Sequence, residues 1–253
     1  MTNDPSQLVK KALTALPAST LVETLRRQIT QIETGHRSGG ETVVSCGCDN
    51  LDHFLPDEGF RRGSLVEWLA DQNTADADCL TLIVAREACR DGGMLVVFDS
   101  LRQFYPPAAV RLGIDPARLL VVQPADAAEE LWALDQVLRS QGVAAAVARL
   151  DRVGSHDFRR LQLAAESQKV LGLLLRPPQA RGEPSWAEVR LQIESLPSTQ
   201  TRDARRFKVE LLRSRRGVGR GTIEVEINEE THPVCLVARL ARAEATSRPG
   251  RAV

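Results

Sequence analysis

"LVEWLADQNTADADCLTL", residues 65–82, begins with an apolar run, continues through a polar loop and ends in a second apolar run. This layout predicts a buried strand over residues 65–69, then a loop, then a helix that ends at Gly92 and Gly93. In many nucleotide-binding proteins a strand, loop and helix in this order surround a phosphate group. Here the loop contains neither glycine nor lysine, and it carries Asp71, Asp76 and Asp78. The loop therefore has the position of a phosphate site but a charge of the opposite sign.

Downstream of this stretch, apolar and amphipathic segments alternate as far as residue 176. Four apolar runs predict buried strands: MLVVFDS, RLLVVQP, VAAAVARLD and VLGLLLRP. Three segments between them predict helices: PPAAVRLGID, ADAAEELWALDQVLRSQG with Leu131, Leu134 and Leu138 on one face, and SHDFRRLQLAAESQK capped by Ser155. Such alternation is typical of a parallel sheet with helices on both faces.

After residues 177–186 the pattern changes to alternation at period two. Four half-exposed strands are predicted in AEVRLQIESL, RRFKVELLRSRRG, GTIEVEINEE and HPVCLVARLA. We expect them to be antiparallel and to extend the same sheet.

The N-terminal segment has a different organisation. Residues 6–34 predict a helix interrupted at Pro17, with apolar residues at helical spacing that could pack on the main domain or on a partner: Leu21, Leu25 and Ile29. The predicted domains are a helical arm over residues 1–38, a core over residues 39–240 and a flexible tail over residues 241–253.

Composition excludes several classes of protein. The 253 residues carry 33 basic and 33 acidic side chains, so no global charge directs the chain to nucleic acid or membrane. No apolar run approaches the roughly 20 residues of a membrane helix, and the N-terminus lacks a signal-peptide core, so we expect a cytoplasmic protein. The cysteine count of five is odd, and Cys46 and Cys48 are expected to be small buried residues rather than metal ligands.

The order of these pieces resembles the RecA core. The resemblance runs over TVVSCGCDNLDHFLPDEGFRRGSLVEWL, GGMLVVFDS, AAVRLGIDPARLLVVQP, ELWALDQVL and RRFKVELLRSRRG, and it covers roughly residues 40–235. It implies an α/β fold with a RecA-like, mostly parallel twisted sheet flanked by helices, together with the N-terminal arm and the antiparallel β extension.

Four longer segments are similar to a narrower family, ImuA. They are FYPPAAVRLGID, WALDQVLRS, RRLQLAAESQKVLGLLLRP and SWAEVRLQIESL. This resemblance implies an accessory protein of damage-induced, error-prone translesion synthesis. Its implied partners are an ImuB-like protein related to Y-family polymerases and an error-prone DnaE-type polymerase, with DNA or RecA as further candidates.

Set against RecA, the chain has lost the residues that bind and hydrolyse nucleotide. The phosphate-loop positions hold Ala70, Asp71, Asp76, Ala77 and Asp78. The position that resembles the water-activating glutamate holds Leu101, and that of the magnesium-linked aspartate holds Arg149 or, one place later, Leu150. Like charges about 4 Å apart repel by about 4 kcal/mol at an effective dielectric near 20, enough to abolish millimolar nucleotide binding. The sequence thus predicts a pseudo-ATPase without a nucleotide cofactor, whose loop acids could instead cap the following helix.

Two groups of residues are candidates for contacts with other molecules. The basic stretch 202–220 supplies DNA-contact candidates that could equally be a solvated sheet edge: Arg205, Arg206, Arg213, Arg215, Arg216 and Arg220. Phe104 and Tyr105 follow a strand end and could meet a partner. RecA has a long mobile DNA-binding loop where this chain has the short PPQARGEPSW, which argues against a RecA-style grip on DNA. The three tryptophans, Trp68, Trp132 and Trp186, are expected in the core.

The hypothesis from the sequence is a non-catalytic adaptor of the DNA-damage response. Two alternatives stay open: a SulA-like inhibitor of cell division and a RecA-like ATPase that binds single-stranded DNA. The oligomeric state is also open, since the N-terminal arm could mediate self-assembly.

Overall fold

The structure is a computed structural model that describes residues 43–71, 76–197, 204–215, 221–228 and 234–236. The chain separates into two units, Met1–Thr42 and Val43–Val253, and the described residues all belong to the second. The predicted arm and tail lie outside the described residues, together with five of the candidate residues: Leu21, Leu25, Ile29, Arg216 and Arg220.

A two-stranded antiparallel sheet precedes the main sheet. Its strands are β1 (Val43–Val44) and β2 (Phe60–Arg61), and helix α1 (Asp49–Phe54) lies between them in the chain. Cys46 and Cys48 are buried beside α1, as the sequence predicts. The Cys46 thiol donates to the Cys48 carbonyl at 3.3 Å, and burial raises the pKa of this thiol.

The main sheet has nine strands among the described residues: β3 (Leu65–Leu69), β4 (Met94–Phe98), β5 (Leu119–Val122), β6 (Val143–Arg149), β7 (Leu171–Arg176), β8 (Val189–Leu196), β9 (Ala204–Ser214), β10 (Gly221–Asn228) and β11 (Val234–Leu236). Their order across the sheet is β11-β10-β9-β8-β3-β7-β6-β4-β5. All pairings from β8 through β3, β7, β6 and β4 to β5 are parallel, and the pairings of β8 with β9, β9 with β10 and β10 with β11 are antiparallel. The predicted parallel sheet with an antiparallel extension is therefore confirmed.

Helices cover both faces of this sheet. The larger core contains α1 together with α2 (Asp76–Ala88) and α3 (Pro106–Arg111), and the second core contains α4 (Ala127–Leu138) and α5 (Ser155–Gln168). Two short 3-10 helices, Pro116–Arg118 and Pro178–Gly182, lie in the connections. No helix in these parts of the chain has the length and apolar character to cross a membrane.

Two strand predictions need correction. β8 runs parallel to β3 rather than antiparallel, because residues 177–188 carry the chain back to the opposite end of the sheet before β8 begins. β5 is an edge strand with Leu120 half exposed, although its apolar run predicts burial. An apolar run does not indicate whether a strand is central or at the edge.

Two side-chain predictions are also wrong. The N-cap of α5 is Gly154, and the Ser155 hydroxyl instead accepts a hydrogen bond from the Trp186 indole at 3.3 Å. Trp132 is 63% exposed on the outer surface of α4, while Trp68 is fully buried against Phe60. Trp186 is half-buried. Trp132 lies two positions from Leu134, so the helix turns it away from the buried face that Leu134 occupies.

Candidate functional site

A groove of about 930 Å³ lies at the carboxyl ends of β4, β6 and β7. We call it the sheet-end groove. Parallel strands present their carboxyl ends at one edge, and ligands of open α/β proteins bind there. Residues of α2, α3, α4 and the start of β9 complete its walls. The charged residues of the lining are Asp78, Asp99, Arg111, Glu130, Arg149, Asp151, Arg152 and Arg205. Its apolar and aromatic residues include Leu82, Val97, Leu101, Phe104, Tyr105, Val147, Leu175 and Ile227.

The described residues on either side of the loop that resembles a phosphate loop are Ala70, Asp71 and the first turn of α2. Ala70 is buried at the end of β3, and Asp71 is exposed. Asp76 begins α2, whose next residue, Ala77, is buried in the core. Asp78 lines the groove. The first turn of α2 therefore presents a carboxylate to the space where a phosphate loop presents lysine and hydroxyl groups.

Asp78 and Arg149, which both line the groove, form an ion pair. The Arg149 Nη2 atom donates to Asp78 Oδ1 at 2.5 Å, and both side chains are partly exposed to solvent. Arg149 ends β6, at the position that resembles the magnesium-linked aspartate of RecA. The two signs are the reverse of those in a working site, where the loop is cationic and the strand end is anionic. Each side chain satisfies the other, so neither charge is left to bind phosphate or metal.

The turn after β4 carries no acidic residue at the position of the expected catalytic glutamate. Leu101 occupies that position and is 57% exposed at the groove mouth. Asp99 accepts hydrogen bonds from the backbone N–H groups of Gln103 at 2.8 Å and Phe104 at 3.1 Å. These bonds shape the turn that brings Phe104 and Tyr105 to the groove.

Glu130, in the first turn of α4, is a buried acid that the sequence reading missed. Burial raises the pKa of its carboxyl group; a hydrogen bond with Ser100 opposes this effect, and the nearby Asp151 adds to it. Its Oε1 atom is enclosed and has no hydrogen-bond partner. The side chain therefore favours its neutral form more than an exposed glutamate does. Its position next to Glu129, in an acidic first helix turn, carried no signal that its side chain would be buried.

A group of buried charged residues, which the sequence did not predict, lies behind the groove. Glu67 of β3 is fully buried between two arginines, with Oε1 2.8 Å from Arg176 Nη1 and Oε2 2.7 Å from Arg190 Nε. Arg176 also donates to the backbone carbonyls of Leu150 and Asp151, at 3.4 and 3.2 Å. The group therefore fixes backbone that lines the groove. A signal was present in the sequence: Glu67 is the one charged residue of β3, and Arg176 is the one charged residue of β7.

The same arginines hold the connection between β7 and β8. Arg176 donates to Glu183 at 2.5 Å, and Arg190 donates to the Ala180 carbonyl at 2.5 Å. Arg213 donates to the Ser185 carbonyl at 3.1 Å. The segment that replaces the mobile DNA loop of RecA is thus tied down by charged hydrogen bonds.

The four DNA-contact candidates that the structure describes do not form one patch. Arg205 is exposed beside the sheet-end groove, and Arg206 pairs with Glu224 at 2.7 Å. Arg213 and Arg215 lie at the other end of β9, about 25 Å away by strand length. Arg215 lies over the Trp186 ring at 5.7 Å.

Comparisons with known proteins bear on the family and the fold. No family model matches the chain. Protein ImuA of Caulobacter vibrioides is 34% identical over 220 residues, which are 79% of this chain and 90% of that protein. Protein RecA of Chlorobium chlorochromatii is 32% identical over 127 residues, which are 48% of this chain and 36% of that protein.

Among solved structures, the crystal structure of the RadB recombinase superimposes with a TM-score of 0.59 at 18% identity. The match covers 77% of this chain and 99% of that chain. The RecA-like fold predicted from the sequence is thereby confirmed.

Proposed function

The chain belongs to the ImuA family, and from that premise we propose that it is a non-catalytic, RecA-like accessory protein of DNA-damage-induced mutagenesis. In this role it joins an ImuB-like protein and an error-prone DnaE-type polymerase. The proposal that the chain is not catalytic rests on the Asp78–Arg149 ion pair. This pair lies inside the groove where RecA relatives are expected to bind nucleotide. Leu101, in place of an acid, supports the same conclusion.

The first prediction concerns nucleotide binding. Titration of the full chain with Mg·ATP in a calorimeter should give no saturable heat up to about 1 mM, because the loop lacks the glycines and lysine that hold phosphates, and Arg149 is already paired with Asp78. An ATP-binding RecA protein, run in the same buffer, is the positive control. Binding in the micromolar range would contradict the pseudo-ATPase proposal.

The second prediction concerns mutagenesis in the cell. Deleting the gene from its own host should reduce mutation after ultraviolet irradiation to the unirradiated level, and the wild-type chain should restore it. The frequency of drug-resistant mutants and the cell length are measured in the same cultures. If induced mutation is unchanged but irradiated cells no longer filament, the SulA-like alternative replaces this proposal.

The partners are tested in the same strains. A tagged chain from irradiated cells is expected to co-purify with the ImuB-like protein or the DnaE-type polymerase, identified by mass spectrometry. Recovery of the tubulin-like division protein without either of them would point to a division inhibitor.

If the chain contacts DNA, we propose that it does so through separate surfaces and not through one basic patch. Arg215 has no carboxylate partner among the residues described, and it stacks beside Trp186 together with Arg159, whose guanidinium lies 4.7 Å from the ring. Arginines held against an aromatic ring can contact phosphates without reading sequence. Arg206 is less suited to this role because Glu224 already neutralises it.

A further inference from the structure

We infer that the sheet-end groove is a docking site for an acidic segment of a partner protein that carries large apolar side chains. The inference rests on the proposed adaptor function and specifies the chemistry of one partner contact. It replaces the lost nucleotide with a peptide as the occupant of the same space.

The groove floor is apolar. Val97, Val147 and Leu175 lie near the carboxyl ends of three neighbouring strands there, and Leu112 and Ile227 line the groove beside them; all five are buried. The volume of about 930 Å³ is at the upper end of the range for ligand pockets. A floor of this kind accepts large apolar side chains and gives little to a phosphate.

The groove mouth combines exposed apolar and cationic groups. Leu101 and Tyr105 are 57% and 67% exposed. Arg111, Arg152 and Arg205 are exposed around them, and they come from three separate parts of the chain: the end of α3, the turn after β6 and the start of β9. Arg111 and Arg152 form no ion pair with any described carboxylate. The partner surface that complements this mouth is apolar at its centre and acidic at its edges.

The acids of the groove do not cancel Arg111 and Arg152. Asp78 is paired with Arg149, Asp99 is occupied by two backbone N–H groups, and Glu130 is buried. Asp151 is the remaining exposed acid among the groove residues, set against the two exposed arginines Arg111 and Arg152. The accessible charge of these residues is therefore positive.

The same groups disfavour nucleic acid as the occupant. A single strand needs several aromatic platforms and a continuous cationic track, but Tyr105 is the one exposed aromatic side chain in the lining. Phosphates that entered the groove would also lie against its apolar floor and beside the exposed carboxylate of Asp151. An acidic peptide keeps its charges at the rim and places apolar side chains over the floor.

The test is a selection of displayed random peptides on the immobilised full chain. Enriched peptides should be rich in Asp or Glu together with Leu, Phe or Trp. Each should bind the variants Arg111→Glu/Arg152→Glu and Leu101→Ser/Tyr105→Ser at least about tenfold more weakly, measured by fluorescence polarisation with the synthetic peptide. The controls are Arg90→Glu and Trp132→Ser/Leu163→Ser, which change exposed side chains of the same types outside the groove.

Circular dichroism and urea unfolding of each variant separate loss of binding from loss of fold. The inference is overturned if enriched peptides bind the groove variants as well as the controls, if they are basic, or if none is enriched. It is also overturned if an oligothymidine binds and loses affinity with the groove variants, because the occupant is then nucleic acid. Failure here leaves the mutation-frequency test of the proposed function unaffected, since that test does not depend on which surface meets the partner.

Discussion

Replacing Glu67 with alanine is expected to lower the free energy of unfolding by about 3–5 kcal/mol, because it leaves two buried arginines without their shared carboxylate. Arg176 is fully enclosed and Arg190 nearly so. Their remaining partners are mostly backbone carbonyls, which stabilise a guanidinium less than a carboxylate does. Urea unfolding followed by circular dichroism measures the loss.

Glu194→Ala is the matched control for this substitution. Glu194 also lies in a strand and pairs with Lys208 at 3.0 Å, but both side chains are exposed. Its removal should change stability by no more than about 1 kcal/mol. If Glu67→Ala cost as little as the control, the buried carboxylate would not be what holds Arg176 and Arg190.

The Glu67 group also has a consequence for the groove. Arg176 holds the backbone of Leu150 and Asp151, so its misplacement should widen or close the adjacent groove. This is why Glu67 variants are unsuitable as tests of peptide docking, and why the docking test uses rim residues instead.

Reversing one charge of the Asp78–Arg149 pair should destabilise the protein, and reversing both should recover part of the loss. Arg149→Asp places two carboxylates at the position of the 2.5 Å contact, and we expect a cost of about 2 kcal/mol. The partial exposure of both side chains keeps the cost below that of the Glu67 change. The double variant Asp78→Arg/Arg149→Asp should regain about half, because an arginine in the first turn of α2 opposes the helix dipole.

A double-mutant cycle in urea measures this coupling. The exposed pair Arg181–Glu210, 3.1 Å apart, provides the control cycle and should couple by less than about 0.5 kcal/mol. A coupling near zero for Asp78 and Arg149 would mean that the two charges do not meet in solution, and it would remove the main support for a closed phosphate site.

Much of the fold could be predicted from local patterns. The apolar runs of β4, β6 and β7 identify buried strands, and the period-two segments identify the half-exposed β9 and β10, since each pattern depends on neighbours along the chain. The direction of β8 was mispredicted because it depends on the path of residues 177–188. The exposure of Leu120 was mispredicted because it depends on which strand lies at the edge.

Part of the candidate site could also be predicted from the sequence, and part could not. The absence of glycine and lysine from the phosphate-loop positions is a matter of residue identity, so the sequence alone indicated lost chemistry. The position of Phe104 and Tyr105 at a strand end was also predictable, because Asp99 and the turn follow β4 directly. The separation of Arg205 from Arg215 was not predicted. The two arginines belong to one basic stretch of sequence, but a long strand places the ends of such a stretch far apart.

The sequence by itself determined the alternating elements, the family and the loss of nucleotide-binding residues, because all three are properties of residue type and order. Only the tertiary structure decided that Asp78 meets Arg149, 71 residues away, and that Glu67 meets Arg176, 109 residues away. It also decided that three arginines from separate segments surround one apolar groove. The physical reason is that these contacts follow from the order of strands in the sheet, which local hydrophobic patterns do not encode.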